Sequence, residues 1–164
     1  DFLTPDAAGG AGRHAEIQSG LLARKIKGCE AAFAHQTTVE LSGTLPEGGE
    51  LTVPLRMADL VGIVTMKGIV LGERYREKDA YDLYALIAHY QRGPCDVAEA
   101  VRPVLGEPLM AESLAAIRAA FSTREANGPA WAASFLVSPV FAAERQRCLT
   151  DAFMVVSEFL RLLA

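Results

Sequence analysis

The sequence predicts an α+β fold in which a short strand and a β-hairpin precede a bundle of five or six helices. Residues 37–41 and 51–55 are rich in apolar and β-branched side chains and flank a turn-forming segment, residues 46–49. After Pro54, apolar residues recur at helical spacing almost to the end of the chain. With 164 residues, of which 51% are hydrophobic, the chain is long enough to bury a core.

The first residues predict one strand. Asp1, Phe2 and Leu3 alternate polar and apolar side chains, and Pro5 opens a predicted loop that includes residues 7–12. A single strand needs partners, and we expect part of its sheet to lie upstream of Asp1. Residues 17–26 fit either a strand or a short helix. Because the chain begins with Asp1 and not with Met, we expect it to start inside a larger protein.

The remainder predicts helices. Three-and-four spacing predicts an amphipathic helix over residues 56–71, stopped by Gly72, and a second over residues 78–91. The further predicted helices span residues 96–105, 108–121, 128–137 and 139–163, the last two with Pro129 and Pro139 in their first turns. We divide the chain into a sheet region, residues 1–55, and a helical domain, residues 56–164, which we expect to pack as one unit.

Composition excludes several classes of protein. The net charge of -4 argues against a surface that attracts nucleic acid everywhere. No apolar run approaches the roughly 20 residues that a membrane span needs, so we expect no membrane insertion. Cys29, Cys95 and Cys148 lie far apart, which favours neither a zinc site nor a disulfide framework, and we expect a reducing cytoplasm.

Aromatic residues of the last two helices are expected to pack the bundle core. They are Trp131, Phe135, Phe141, Phe153 and Phe159. The last helix has a predicted apolar face made of Phe153, Val156, Leu160 and Leu163. If this face lacks a cover, it favours self-association.

Residues 67–83 carry the residues best suited to chemistry, since eight charged side chains crowd into this segment. Lys67, Arg74, Arg76 and Lys78 surround one predicted interhelical turn, where several donors can meet a phosphate chain. Asp79 and Asp82 are three residues apart, so they share a face near the start of the second helix. An ordinary helical hairpin also favours this pattern, because Lys78 can pair with Asp82 one turn later.

The same segment is similar to the downstream motifs of the AbiEii-like nucleotidyltransferases, a family of abortive-infection and toxin–antitoxin toxins. The similarity consists of Lys67, the arginine seven residues later, and the order Lys78, Asp79, Asp82, Leu83 that opens the next helix. The opening residues 1–5 resemble the strand that carries the third acidic residue of the nucleotidyltransferase fold. The resemblance implies that the strand and hairpin are a remnant of a nucleotidyltransferase sheet.

The resemblance also implies an activity, the Mg²⁺-dependent transfer of a nucleotidyl group from a nucleoside triphosphate to an acceptor such as a tRNA end. A cognate antitoxin protein is an expected partner. Asp1, Lys67, Asp79 and Asp82 would then be catalytic, and Lys67, Arg74 and Lys78 would bind the phosphates. Asp1 would bind metal, but only together with carboxylates that lie upstream of this chain.

The chain departs from the family pattern at its most important motif. The Gly-Ser turn and the Asp-x-Asp pair are absent, and the Gly9, Gly10 and Gly12 run precedes no such pair. We therefore expect this segment to be inactive alone and to bind neither Mg²⁺ nor nucleotide tightly. Two alternatives stay open: a non-catalytic helical module that binds a protein partner, and an RNA-binding domain, which the net negative charge disfavours.

Overall fold

A computed structural model describes residues 2–7, 11–73 and 77–164 and has the predicted α+β fold. The strands are β1 Leu3–Pro5, β2 His14–Gln18, β3 Leu21–Ile26, β4 Gln36–Thr44 and β5 Glu50–Ala58. The helices are α1 Cys29–Ala34, α2 Leu60–Glu73, α3 Glu77–His89, α4 Pro94–Val101, α5 Pro108–Ala120, α6 Asn127–Leu136 and α7 Ala142–Leu162, with a 3₁₀ turn at Arg102–Val104.

The first sheet has three strands in the order β1-β3-β2. β1 pairs in parallel with β3, which supplies the partner that a lone strand needs. β2 and β3 resolve the ambiguity of residues 17–26, because they form an antiparallel hairpin that turns at Gly20. Gly20 has a φ of 76°, a conformation that glycine adopts without steric cost. The predicted strand at residues 1–3 lies at residues 3–5, with Asp1 outside the described residues.

The second sheet is the predicted hairpin, and it is longer than expected. β4 and β5 pair over nine residues each, from Gln36 opposite Ala58 to Thr44 opposite Glu50. The predicted start of a helix at Arg56 is therefore wrong, since Arg56 is still paired with Thr38. The division that we predicted at residues 55 and 56 falls inside β5.

Helix α2 follows immediately. The Asp59 carboxylate accepts a hydrogen bond from the Gly62 amide at 2.9 Å, which satisfies one of the amide groups that every helix start leaves without a partner. The predicted stop at Gly72 is also wrong, because the helix continues to Glu73. Nine of its fourteen residues are buried, so α2 is a central helix and not the amphipathic surface helix that its sequence predicted.

The core lies among helices α2 to α7. α2 packs on α5, α3 packs on α6 and α7, and α4 packs on α7. The largest side chains with almost no exposure include Phe121, Phe159, Leu83, Ile87 and Ile117. No described helix is both long enough and apolar enough to cross a membrane.

The predictions for the last two helices need correction. α7 begins at Ala142, so Pro139 lies in the preceding turn and not in the first helical turn. Phe135 and Phe141 are about half exposed, at 45% and 55%, and so they are not core residues. Phe135 lies near the end of α6 and stacks on Tyr81 of α3, and Phe141 directly precedes α7.

The apolar face that we predicted for α7 is also shifted. The buried residues of α7 are Ala152, Val156 and Phe159. Of the predicted face, Val156 and Leu163 are buried, and Phe153 and Leu160 are half-buried. α4 and α6 pack against this helix, so the condition that we set for self-association through this face, a lack of cover, is not met in the described residues.

The contact between α2 and α5 depends on glycine. A β-carbon on Gly68 would lie 2.0 Å from Ser113 Oγ and 2.9 Å from the Ser113 carbonyl oxygen. Ser113 Oγ in turn donates a hydrogen bond to the Val64 carbonyl at 3.0 Å, so the two helices approach backbone to backbone.

We expect Gly68→Ala to lower the free energy of unfolding by about 1–3 kcal/mol, the usual cost of overpacking a close helix contact. Urea denaturation measures this change. Gly106→Ala is the matched control, because a β-carbon there has nothing within 4 Å. Equal stability of the two variants would contradict the close contact.

Candidate functional site

The predicted site is built around Lys67, the charged residue in the middle of α2. All of its helical neighbours from Val64 to Leu71 are buried or half-buried. The ammonium group of Lys67 contacts the first turns of α3. The Lys67 side chain is 27% exposed. A lysine this far removed from water needs acceptors, because an unpaired buried charge is costly.

Two carboxylates of α3 supply those acceptors. Lys67 Nζ donates to Asp79 Oδ1 at 3.0 Å and to Asp82 Oδ2 at 2.5 Å. Asp79 is buried in the first turn of α3, and Asp82 follows three residues later on the same side. The start of α3 also stabilises negative charge through the helix dipole.

Lys78 completes the cluster from the solvent side. Its Nζ donates to Asp82 Oδ1 at 2.9 Å and to Asp82 Oδ2 at 2.8 Å, and its side chain is 63% exposed. Asp82 thus accepts hydrogen bonds from both lysines and connects the half-buried Lys67 with the exposed Lys78. We call Lys67, Lys78, Asp79 and Asp82 the lysine–aspartate cluster.

Burial and ion pairing shift the pKa values of Lys67 and Asp82 in opposite directions, and ion pairing has the larger effect. Burial lowers the pKa of Lys67, but hydrogen bonds from its ammonium group to Asp82 and Asp79 raise that pKa above its usual value. Burial likewise raises the pKa of Asp82, whereas Lys67 and Lys78 hold the pKa of that carboxyl below its usual value. Lys67 and Asp82 are therefore both charged at neutral pH.

The structure brings together four of the six residues that the sequence singled out. Asp1 and Arg74 lie outside the described residues, as does Arg76. The structure accordingly tests neither the proposed third carboxylate nor the second phosphate donor.

The cluster does not by itself resemble a magnesium site. Asp79 and Asp82 direct their oxygens at ammonium groups of the protein, and Mg²⁺ requires oxygen ligands that are free to face it. Within residues 2–7, 11–73 and 77–164, no three His, Cys, Asp or Glu side chains are placed to hold a metal ion. These residues would not hold Mg²⁺ without further ligands.

A cleft that sequence reasoning missed lies at the carboxyl ends of the parallel strands β1 and β3. It has a volume of about 190 Å³ and is lined by Asp6, Arg24, Lys25, Ile26, Lys27, Val70 and Glu73. Ligands of open α/β sheets bind outside the carboxyl ends of parallel strands. Val70 lines the cleft only three residues after Lys67, so the cleft and the lysine–aspartate cluster flank the same helix.

The charges in this cleft are mixed. The cleft is lined by three basic residues, Arg24, Lys25 and Lys27, and by two acidic ones, Asp6 and Glu73. Lys27 also forms a salt bridge with Glu112. In the sequence, the cleft is marked only by the basic residues that follow Ala23. They indicate a cleft only when the pairing of β1 with β3 is known.

No family model matches the chain, and no curated protein or solved structure matches it either. The likeness to the AbiEii-like nucleotidyltransferases therefore depends on the sequence resemblance of residues 1–5 and of residues 51–90, which include the motif at residues 67–83.

We expect Lys67→Met to lower the free energy of unfolding by roughly 2 kcal/mol, between the values typical of exposed and of buried ion pairs. The loss follows because buried Asp79 keeps its carboxylate without the Lys67 ammonium group. Lys78→Met is the matched control, and its exposed pair predicts a loss below about 0.5 kcal/mol. Urea denaturation at pH 7 compares the two variants, and equal losses would contradict the partly buried pairing.

The contribution of the cluster to stability should also depend on pH. Because the folded-state pKa of Asp82 is lowered, its contribution is present above the unfolded-state value of about 3.9 and is lost as the pH falls through the folded value. Because the pKa of Lys67 is raised, its contribution is present below about 10.4 and is lost as the pH rises through the folded value.

The stability difference between wild type and Lys67→Met should thus be largest near neutral pH and should shrink below about pH 4. Denaturation at pH 3 and pH 7 measures it. A difference that grows on acidification would show that the two groups are not paired in the folded state.

Proposed function

We propose that this chain is part of a nucleotidyltransferase of the AbiEii-like type, which transfers a nucleotidyl group from a nucleoside triphosphate to an acceptor such as a tRNA end. The observation that supports this proposal is the lysine–aspartate cluster, in which residues of the resemblance motif on two helices meet at one point. A toxin paired with an antitoxin protein is the setting that the resemblance implies.

Lys67 is the residue proposed to contact the triphosphate. Its ammonium group has three donors, and Asp79 and Asp82 orient it. The buried Asp79 would keep its bond and act as a positioning residue. The bond to the more exposed Asp82 can be exchanged for one to a phosphate oxygen, since Asp82 also has Lys78 as a partner.

Lys78 would add a second cation at the mouth of the site. Its side chain is largely exposed and can turn towards a phosphate without breaking a buried contact. Two ammonium groups next to a transferring phosphoryl centre stabilise the negative charge that develops there. Mg²⁺ would help to hold the triphosphate, with Asp1 proposed as a ligand only together with carboxylates upstream of this chain.

The alternative is a non-catalytic helical module that binds a protein partner. It is favoured by the mutual pairing of the four charges, which is sufficient to fix α3 against α2 without any ligand. Under this alternative, Lys67→Met changes stability but leaves partner binding intact.

The test uses the protein expressed from its complete reading frame, incubated with Mg²⁺, total tRNA and each α-labelled nucleoside triphosphate in turn. We expect label to enter the acceptor. Lys67→Met should reduce kcat/KM by about 10²-fold, the typical effect of removing one group that stabilises transition-state charge.

Arg161→Met is the control, since Arg161 pairs with Glu158 at the far end of α7 and should leave the rate unchanged. Thermal unfolding of each variant separates loss of chemistry from loss of fold. A folded Lys67→Met protein with wild-type transfer would refute the proposed role, and absence of transfer by the wild type with all four nucleotides would favour the interaction module.

A further inference from the structure

The β4–β5 hairpin is a two-stranded ribbon with two chemically different faces. Its register places Val39 opposite Leu55 and Leu41 opposite Val53, so these side chains share one face with Leu51 and Met57. The other face is polar, and there Ser42 Oγ lies 2.7 Å from Thr52 Oγ1. No charged residue belongs to the apolar face.

The apolar face is exposed. Val39, Leu41, Leu51, Leu55 and Met57 are each between 43% and 56% exposed. The ribbon contacts the rest of the protein at its base, where β5 meets α1 and α2. A two-stranded hairpin is marginally stable in water, and contiguous exposed apolar surface marks an interaction site.

The two edges of the ribbon differ. β5 contains Pro54, which has no backbone N–H and is a residue that proteins use to block edge strands. β4 has no proline, all nine of its residues are exposed, and β5 is its only strand partner among the described residues. The free edge of β4 therefore offers unpaired backbone groups over the full length of the ribbon.

We propose that the free edge of β4 binds an extended strand of a partner protein, which lengthens the ribbon into a three-stranded sheet. Backbone hydrogen bonds to β4 would provide affinity, as in other cases of β-strand addition. The partner strand would alternate apolar residues, which extend the face of Val39 and Leu41, with polar ones. This proposal does not depend on the proposed enzymatic function.

Charge defines the partner further. Glu40 is the single charged residue of β4 and lies at its centre, on the polar face. Opposite charges directly across neighbouring strands are stabilising and like charges are destabilising. The partner strand should therefore carry Lys or Arg opposite Glu40.

The same charge disfavours a second copy of this chain as the occupant. An antiparallel pairing of β4 with its copy over all nine residues places Glu40 against Glu40. A shift by two residues avoids that contact but gives up two of the nine pairs. Both copies also carry a net charge of -4, which adds long-range repulsion.

The test uses the full chain and two synthetic nine-residue peptides in which threonine and valine alternate. One peptide has lysine at its central position, and the other has glutamate. NMR titration follows those β4 amides that point away from β5, which should gain protection from hydrogen exchange when a strand is added. We expect the lysine peptide to bind wild type about threefold to tenfold more tightly than the glutamate peptide.

The charge reversal Glu40→Lys should invert this preference, and Glu47→Lys, in the turn outside both strands, should keep the wild-type preference. Three results would overturn the proposal: no binding of either peptide, an unchanged preference in Glu40→Lys, or protection in the free protein of those β4 amides that point away from β5. Sedimentation equilibrium completes the test, because a dimer that the neutral variant Glu40→Gln strengthens would assign the edge to a second copy.

Discussion

The burial of α2 is the constraint on which the rest of the structure depends. This helix contacts α1, α3, α4, α5 and the end of β5, so it joins the strands to the helical core. Lys67 lies at its centre, and a lysine can occupy such a place only if carboxylates meet it there. The start of α3 carries two of them, Asp79 and Asp82, and the packing of α3 against α2 and the geometry of the candidate site therefore have one cause.

The features that local sequence determines were predictable. The hairpin followed from two β-prone segments around a turn, and α3 followed from the spacing of Leu83 and Ile87, both of which are fully buried. The meeting of Lys67 with Asp79 and Asp82 was also accessible, because only three residues separate α2 from α3 in the sequence and both aspartates lie on one face of α3.

Features that long-range packing determines were not predictable. Met57 fits a helical pattern as well as a strand, and only its pairing with Thr37 of β4 decides between them. The burial of α2 depends on the close approach of Gly68 to Ser113, and the cleft of mixed charge depends on the parallel pairing of β1 with β3. Aromatic character alone likewise did not separate buried Phe159 from exposed Phe141.

The interior and the surface of this protein suggest two separate roles. In the half-buried lysine–aspartate cluster, Lys67 pairs with two carboxylates. We propose that an anionic ligand replaces one of them. The β4–β5 ribbon is exposed and apolar on one face, and it is suited to a polypeptide partner. Asp59 alone connects the ribbon to α2, the helix that carries Lys67.

The most direct measurement of the central claim is a crystal structure of the protein from its complete reading frame with Mg²⁺ and a non-hydrolysable nucleoside triphosphate. We expect a phosphate oxygen within hydrogen-bonding distance of Lys67 Nζ, in place of Asp82 Oδ2, while the bond to Asp79 persists. A nucleotide bound elsewhere, with Lys67 still held between Asp79 and Asp82, would contradict the account.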